Sequence, residues 1–453
     1  MPSARTRKLI EMDKRHVWHP FTQMKDWLAD PEPLVIEKGR GAELVDTDGR
    51  RYLDGISSLW VTVHGHRKAE IGRAIRAQLG RVEHSTLLGL ANVPSIELAA
   101  ELVKIAPKGL TKVFYSDSGS TAVEIALKMA FQYWQNRGQQ RRRFVTLKEG
   151  YHGDTIGSVS LGGIDLFHQV YRPLLFETER VEAPYCYRCP LGLRHPSCGI
   201  ACLDSLETIL KEKSGEIAAV VMEPLMQGAA GMISAPPGHL KRVRELTRRA
   251  GVLLVADEVA TGFGRTGQMF ACQREGVVPD LMAVAKGLSG GVLPLAATLV
   301  SEEVYRGFLF PYSDQKTFFH GHTYTGNPLA CAAALANLRL FRKEKTLARL
   351  RPKIRALRRG LESLRGLRHV GDIRQQGFMA GIELVRDKAT REEYPWEEAV
   401  GVKVCRRARD KGVLLRPLGA VVVLMPPLGI RMDQLQRLLR VTRDSIEEVT
   451  EEP

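Results

Sequence analysis

Between about Lys112 and Val300 the chain alternates short apolar runs with helical patterns, and this alternation limits the fold more than any other feature. The runs are KVFYS (Lys112 to Ser116), RFVTL (Arg143 to Leu147), AAVVMEP (Ala218 to Pro224), VLLVADE (Val252 to Glu258), LMAVAK (Leu281 to Lys286) and LAATLVS (Leu295 to Ser301). Strands separated by helical lengths of chain pair in parallel, because a parallel connection must cross over the sheet. Several runs are apolar at successive positions, as strands covered by helices on both faces should be. The expected class is α/β, built on a mostly parallel sheet. Past Pro328 a long helical pattern crosses the basic stretch RPKIRALRRGLESLRG (Arg351 to Gly366). Short strands follow around Phe378 to Leu384, Val413 to Pro417 and Val421 to Met425, then an amphipathic helix over about Met432 to Val449. Strand-like pieces also lie in the first sixty residues, GAELVDTDGRRYLDG among them. The two ends suit a smaller α+β unit, although spacing alone does not bring them together.

Charge and apolar content exclude several classes. No run reaches the ~18 apolar residues of a membrane span. The opening MPSARTRKLIEMDKRHVWHP carries charge without the apolar centre of a secretory signal, and Glu11 and Asp13 come early for a transit peptide; the expected location is the cytoplasm. A net charge of +15 raises the question of nucleic acid. The basic residues are scattered over helical faces, with no nucleic-acid motif and no aromatic-interleaved stripe. Solvated faces that attract acidic small molecules are the better reading, and neither nucleic acid nor membrane is expected as a partner. Four of the seven cysteines crowd into CYRCPLGLRHPSCGIAC, where Cys186, Cys189, Cys198 and Cys202 form C-x2-C and C-x3-C. That spacing could hold zinc or an iron–sulfur cluster. The second pair is looser than usual for a metal knuckle, so a loop of free thiols is preferred and no metal is expected.

The chemistry lies at the strand ends. In YSDSGSTAVEIALKMAFQYW (Tyr115 to Trp134) a strand gives way to a Ser/Gly turn and then a helix, with Thr121 and Glu124 spaced as a capping box. Amides of Ser118, Gly119 and Ser120 at that helix start could hold a phosphate, or the segment could be an ordinary capped turn. GYHGDTIGS (Gly150 to Ser158) puts Tyr151 and a histidine after another strand, either to stack on a flat ring or as an incidental turn. LLVADEVATGFGRTG contains a full GxGxxG at Gly262, Gly264 and Gly267, but these glycines follow the acidic pair Asp257-Glu258 and not the strand itself. No helix start or ribose-binding acid follows, so a dinucleotide site is rejected. Asp257 ends one apolar run, and Lys286 ends the next. They could form a structural ion pair, or flank a cofactor that uses the carboxylate at a cationic nitrogen and the lysine as a Schiff base. In FFHGHTYTGNPLACAAALANL (Phe318 to Leu338), Pro328 suits a first helical position, and Thr323 could reach a phosphate. His320 and His322 read as loop histidines.

With these residues in order, the chain resembles the fold-type I, class III pyridoxal phosphate aminotransferases. The likeness runs from about Trp18 to the last helix, and DEVATGFGRTG…AKGLSGG is its most specific motif. Within the family the chain is most similar to the branch that aminates 8-amino-7-oxononanoate in biotin biosynthesis, on WHPFTQM (Trp18 to Met24), DGISSLWVTVHGH (Asp54 to His66), GYHGDTIGS and HGHTYTGNPLACAAA. The resemblance implies a large cofactor-binding domain over residues 66–335 and a small α+β domain from residues 1–65 and 336–453. It implies that Lys286 carries pyridoxal phosphate and shuttles the proton, that Asp257 keeps the pyridine nitrogen protonated, and that Tyr151 stacks on the ring. Gly119 and Ser120 would hold the phosphate. Gly321, His322 and Thr323 would come from the neighbouring subunit of a homodimer, with His322 and Thr323 beside the cofactor. Arg416 would pair with the keto substrate's carboxylate, for which a guanidinium fork is apt, while Phe21 and Trp60 would wall the substrate channel. S-adenosylmethionine is the family's default amino donor. The best-known members, however, carry Tyr where this chain has Phe21 and Trp where it has Leu59. A sub-branch sharing HSTLLG (His84 to Gly89) and TFFHGHTYTGN uses L-lysine, which therefore stands as the alternative donor. A general ω-amino acid or diamine transaminase is the nearest rival.

Overall fold

The computed structural model describes residues 2–451. A seven-stranded sheet forms its centre, in the spatial order Leu110–Ser116, Ala296–Ser301, Leu281–Val284, Leu253–Asp257, Ile217–Met222, Arg143–Leu147 and Glu179–Val181. The strands from Leu281–Val284 to Glu179–Val181 are parallel, whereas Ala296–Ser301 runs antiparallel to both its neighbours. Every residue of Ile217–Met222 and Leu253–Asp257 is buried, as strands covered on both faces must be. All six apolar runs are strands here. The edge strand Glu179–Val181 escaped the sequence reading because it is three residues long and begins with a charged pair, as edge strands often do. Helix Gly119–Asn136 lies across the sheet, and its Trp134 indole donates to the Ala218 carbonyl at 2.8 Å.

Past the large sheet the structure corrects two expectations. The long helix after Pro328 is two helices, Pro328–Lys343 and Thr346–Leu364. They part at Lys345, whose left-handed φ of 49° turns the chain, and no glycine or proline in the sequence marks that stop. The first begins as expected at Pro328, capped by the Asn327 side chain accepting from the Ala330 amide at 3.0 Å, and it runs without a break through residue 335. The expected strand Val413 to Pro417 is also divided. Val413–Leu414 pairs in parallel with Leu53 and Asp54, while Arg416–Leu418 pairs with Val421–Leu424 at the edge of another sheet. Pro417, which has no N–H to give, is tolerated on such an edge.

That split joins the two ends of the chain. Ile36–Arg40, Glu43–Asp46, Arg51–Asp54 and Val413–Leu414 form one four-stranded sheet. Val370–Gln376, Met379–Leu384, Val421–Leu424 and Arg416–Leu418 form a second, and helix Met432–Thr450 completes the C-terminal part. Among the described residues no helix is long and apolar enough to cross a membrane.

Candidate active site

Strand register sets the first two groups. Asp257 is the last residue of its strand and lies opposite Ala283 on the parallel neighbour, three residues before Lys286. Both line one cavity of about 670 Å³ at the carboxyl ends of the strands, where open α/β sheets bind ligands. Trp60, Gly119, Ser120 and Tyr151 line the same cavity.

Asp257 and Lys286 do not pair with each other. Asp257 Oδ2 accepts a 2.7 Å bond from His152 Nδ1, and Oδ1 accepts the Val259 amide at 3.0 Å. An ionised carboxylate has no proton to give, so His152 carries its proton on Nδ1. Burial works against a charged His152, but the bond to Asp257 and the charges of Asp257 and Glu223 outweigh it and raise its pKa. The result is a buried carboxyl fixed by two donors at the wall of the cavity. Lys286 Nζ stands 5.3 Å from the centroid of the Trp60 ring, within cation–π range, and makes no ion pair among the described residues. Burial lowers its pKa against the opposing pull of Asp257 and Glu223, so the amine gives up its proton more readily than a solvated lysine does. Its backbone has a φ of 40°, the left-handed region that residues with a Cβ enter only under constraint.

The helix beside the cavity begins at Gly119, two residues before the expected capping box. Ser118 is the N-cap, and Ser118 and Thr121 cap each other at 3.2 and 3.1 Å. The Ser118 amide is thereby taken, which removes it from the expected phosphate cradle. Amides of Gly119 and Ser120 open the helix and have no carbonyl one turn back to reach. Glu124, which sequence spacing made the box partner, instead accepts from the Thr155 hydroxyl and the Gly157 and Ser158 amides at 2.6, 2.8 and 3.3 Å. It ties the helix to the loop carrying Tyr151. Gly119 is needed for its small size, because a Cβ there would lie 2.6 Å from Val259 Cγ1.

Tyr151 donates its hydroxyl to Asp154 Oδ2 at 2.7 Å, and burial raises its pKa. Its amide donates to Glu223 Oε1 at 3.1 Å. Glu223 ends the run AAVVMEP beside Asp257's strand and also accepts the Gly228 amide at 2.9 Å. Burial pushes its carboxyl up to about 7, with the charge of His152 pulling it down. Sequence reasoning offered His152 only for stacking on a flat ring, not as a partner of Asp257, and gave Glu223 no role. The signal for Glu223 was present, since it closes an apolar strand as Asp257 does; for His152 only its adjacency to Tyr151 pointed to the site.

The glycines of GFGRTG form a loop. Gly264 and Gly267 have φ of 91° and 94°, and the buried Arg265 between them donates to the carbonyls of Thr62 and Pro426 at 3.0 and 2.8 Å. The amides opening the next helical turn, Ala271 and Cys272, already donate to Glu258 at 2.9 and 2.8 Å. Nothing remains there to cradle a dinucleotide phosphate.

Other sequence candidates lie outside the lining of this cavity. Arg416 is half-buried on its edge strand, within electrostatic reach of Tyr151, and burial lowers its pKa. Phe21 is 58% exposed and meets Phe167 edge-on at 5.5 Å, and Phe167 in turn meets Tyr151 at 6.3 Å. Gly321, His322 and Thr323 sit in a loop before Pro328, where His320 and Gly321 line a separate apolar groove with Leu87 and Ile96. The four clustered cysteines face one small cavity of about 20 Å³ and are free thiols. Among the described residues no group of three or more side chains is placed to hold a metal ion.

The comparisons agree with this geometry. Residues 27–446 match the family described as Aminotransferase class-III. An adenosylmethionine-8-amino-7-oxononanoate aminotransferase from Geobacter sulfurreducens is 55% identical over 99% of this chain and 100% of its own. One of the same name from Nitratidesulfovibrio vulgaris is 58% identical over 99% of this chain and 83% of its own. The crystal structure of the adenosylmethionine-8-amino-7-oxononanoate aminotransferase from Methanocaldococcus jannaschii superposes with a TM-score of 0.93 at 45% identity, covering 98% of this chain and 99% of that one. An ω-transaminase from Pseudomonas jessenii, solved in complex with PMP, superposes with a TM-score of 0.93 at 31% identity, covering 98% of each chain. A lysine and an acid at adjacent strand ends, a helix start beside them and a family match over nearly the whole length lead to one conclusion: the chain belongs to the class-III aminotransferases.

Proposed function

We propose that this chain transfers an amino group to the ketone of 8-amino-7-oxononanoate, giving the 7,8-diaminononanoate of biotin biosynthesis, with pyridoxal 5'-phosphate as cofactor. The observation that carries the reading is the convergence of the Lys286 amine, the Asp257–His152 pair and the Gly119–Ser120 helix start on one cavity. These residues fit the cofactor. Gly119 and Ser120 offer free helix-start amides to a phosphate, Asp257 offers a carboxyl group to a ring nitrogen, and Tyr151 offers an aromatic face. Bound there, pyridoxal phosphate supplies an electron sink and carries the amino group between two half-reactions.

The protein's own part is positioning and proton transfer. Lys286 Nζ, whose pKa burial lowers, takes the Cα proton of the donor and delivers a proton to the carbon of the acceptor, as a general base and then acid. Asp257, held by His152 and the Val259 amide, keeps its charge fixed through both halves. Arg416 receives the carboxylate of the acceptor, with Trp60 and Phe21 along the channel. Gly321, His322 and Thr323 reach the site from a second subunit, Thr323 and His322 beside the phosphate, so the active form is a cytoplasmic homodimer with shared sites. The same reading divides each chain into a large domain of residues 66–335 and a small domain of residues 1–65 and 336–453.

S-adenosylmethionine is the proposed donor, as in the names of the relatives. L-lysine is the second reading, favoured by Phe21 and Leu59, which lack the hydroxyl and the second indole of the family's best-known members. A single-turnover comparison decides. The holoenzyme is mixed with S-adenosylmethionine, L-lysine or glutamate, loss of the bound cofactor's visible absorbance is followed, and 8-amino-7-oxononanoate is then added. Turnover with S-adenosylmethionine is the expected result. Turnover with lysine alone would make Phe21 and Leu59 the marks of a donor switch. If glutamate bleaches the band and 8-amino-7-oxononanoate fails to restore it, the biotin assignment is wrong and a general ω-transaminase remains.

A further inference from the structure

Asp54 ends the Arg51–Asp54 strand and is fully buried. Its backbone already serves the sheet, the amide donating to the Ala42 carbonyl at 2.8 Å. Its side chain does something else. Oδ1 accepts the Ile56 and Ser58 amides at 3.3 and 2.9 Å, and Oδ2 accepts the Ser58 hydroxyl at 3.0 Å and His66 Nε2 at 2.8 Å. A buried carboxylate needs such donors to offset its lost hydration, and here three of the four come from one short turn, with His66 supplying the fourth.

The turn they hold is strained. Ser57, Ser58 and Trp60 have φ of 53°, 63° and 67°, left-handed values that residues with a Cβ adopt only when their surroundings impose them. Ser57 Oγ adds a 2.7 Å bond to the Met425 carbonyl from the far end of the chain. At the end of the turn stands Trp60, whose ring faces Lys286 Nζ at 5.3 Å. Trp60 lines the cavity, and its indole N–H is buried with no partner among the described residues. A turn without this bracing would relax, and Trp60 would leave its place against the lysine.

We propose that Asp54, steadied by His66, is a positioning residue for the reaction: it holds the Ser57–Trp60 turn so that the Trp60 indole packs over the Lys286 amine and orients the substrate there. The inference rests on the aminotransferase reading, since it acts on the substrate side of that site. Neither Asp54 nor His66 lines the cavity, so their effect is indirect, and Trp60 is the cavity-lining residue at the end of the turn they hold.

A double-mutant cycle tests that passage. Asp54→Asn is expected to lower kcat/KM for the keto acceptor by about 10- to 100-fold, the scale of a misplaced substrate-orienting group. In a Trp60→Ala background the same substitution is expected to cost less than about 2-fold, because the group it positions is already gone. His66→Gln keeps a donor for Asp54 and retains most activity, whereas His66→Ala behaves like Asp54→Asn. The visible absorbance of the bound cofactor persists throughout, since Lys286 and Asp257 are untouched. Equal losses in both Trp60 backgrounds would overturn the proposal, as would a His66→Gln variant no better than His66→Ala. If Asp54→Asn does not fold, the His66 pair read in the two Trp60 backgrounds decides by the same criteria. Failure of the unsubstituted protein to hold the cofactor or transaminate would sink the aminotransferase reading instead.

Discussion

Lys286 presents its amine from a backbone with φ of 40°, a conformation that costs a residue with a Cβ about 1–3 kcal/mol. Glycine has no such cost. Lys286→Gly should therefore be more stable than Lys286→Ala by about 1 kcal/mol, measured by urea unfolding of the cofactor-free protein. Both should lose turnover by at least about 10³-fold, because no other base reaches the Cα proton. Equal stabilities would mean that the strain is absent in solution. Glu223 gives a second test at this scale. Burial raises its carboxyl from 4.5 to about 7, so between those values the folded state binds more protons than the unfolded one. Stability from this group is full below about 4.5 and is lost as pH rises through about 7. Glu223→Gln has no such loss. The stability of wild type relative to Glu223→Gln should fall by about 3 kcal/mol from acid to mildly alkaline pH, read from denaturant midpoints. A constant difference would show that burial leaves the Glu223 carboxyl at its ordinary value. Asp257 and Lys286 were legible as residues because each closes an apolar run with a charge. Glu223 closes a run in the same way, but its partners, the amides of Tyr151 and Gly228, could not be read from its own neighbourhood.

Helix Gly119–Asn136 shows what local patterning can and cannot place. Its existence followed from period, and of the apolar positions that period picks out, Ile125, Leu127 and Met129 are buried while Phe131 is 37% exposed. Its start did not follow. The spacing put the capping box at Thr121 and Glu124, whereas it forms at Ser118 and Thr121, and Glu124 is drawn off by Thr155, Gly157 and Ser158. The position of that start sets the distance between the Gly119 amide and the strand end carrying Asp257. Gly119→Ala places a Cβ 2.6 Å from Val259 Cγ1, so the helix or the loop must shift, at a cost of about 1–3 kcal/mol. The expected result is a lower unfolding midpoint and weaker pyridoxal phosphate retention on dialysis. Val259→Ala should restore much of both, because the clash is with a side chain. Loss that Val259→Ala does not relieve would place the effect in the helix backbone and not in the contact.

Across the whole molecule, the Gly321–Thr323 loop lies outside the lining of its own Lys286 cavity, and the proposed homodimer gives it a site in the partner. Complementation follows from that symmetry. Lys286→Ala and Thr323→Ala subunits, mixed equally and allowed to exchange, would form one intact site per hybrid dimer and recover about a quarter of wild-type activity. Recovery no greater than the sum of the two variants alone would show that each site is built from a single chain. The same scale contains the pairing of Leu53 with Val413 and Asp54 with Leu414. From the sequence, strand-like pieces at both ends were legible, and their union was not. Strand content, helix faces, turn glycines and the charges that close apolar runs depend on neighbours along the chain, so the sequence alone determined them, together with the class-III family likeness. Which side chains meet depends on register and on pairings across hundreds of residues. His152 against Asp257, Glu223 beneath Tyr151 and Asp54 bracing the turn to Trp60 are of that kind. Tertiary structure decided them, because burying a charge leaves it to find partners from any part of the chain that packing brings within 3 Å or so.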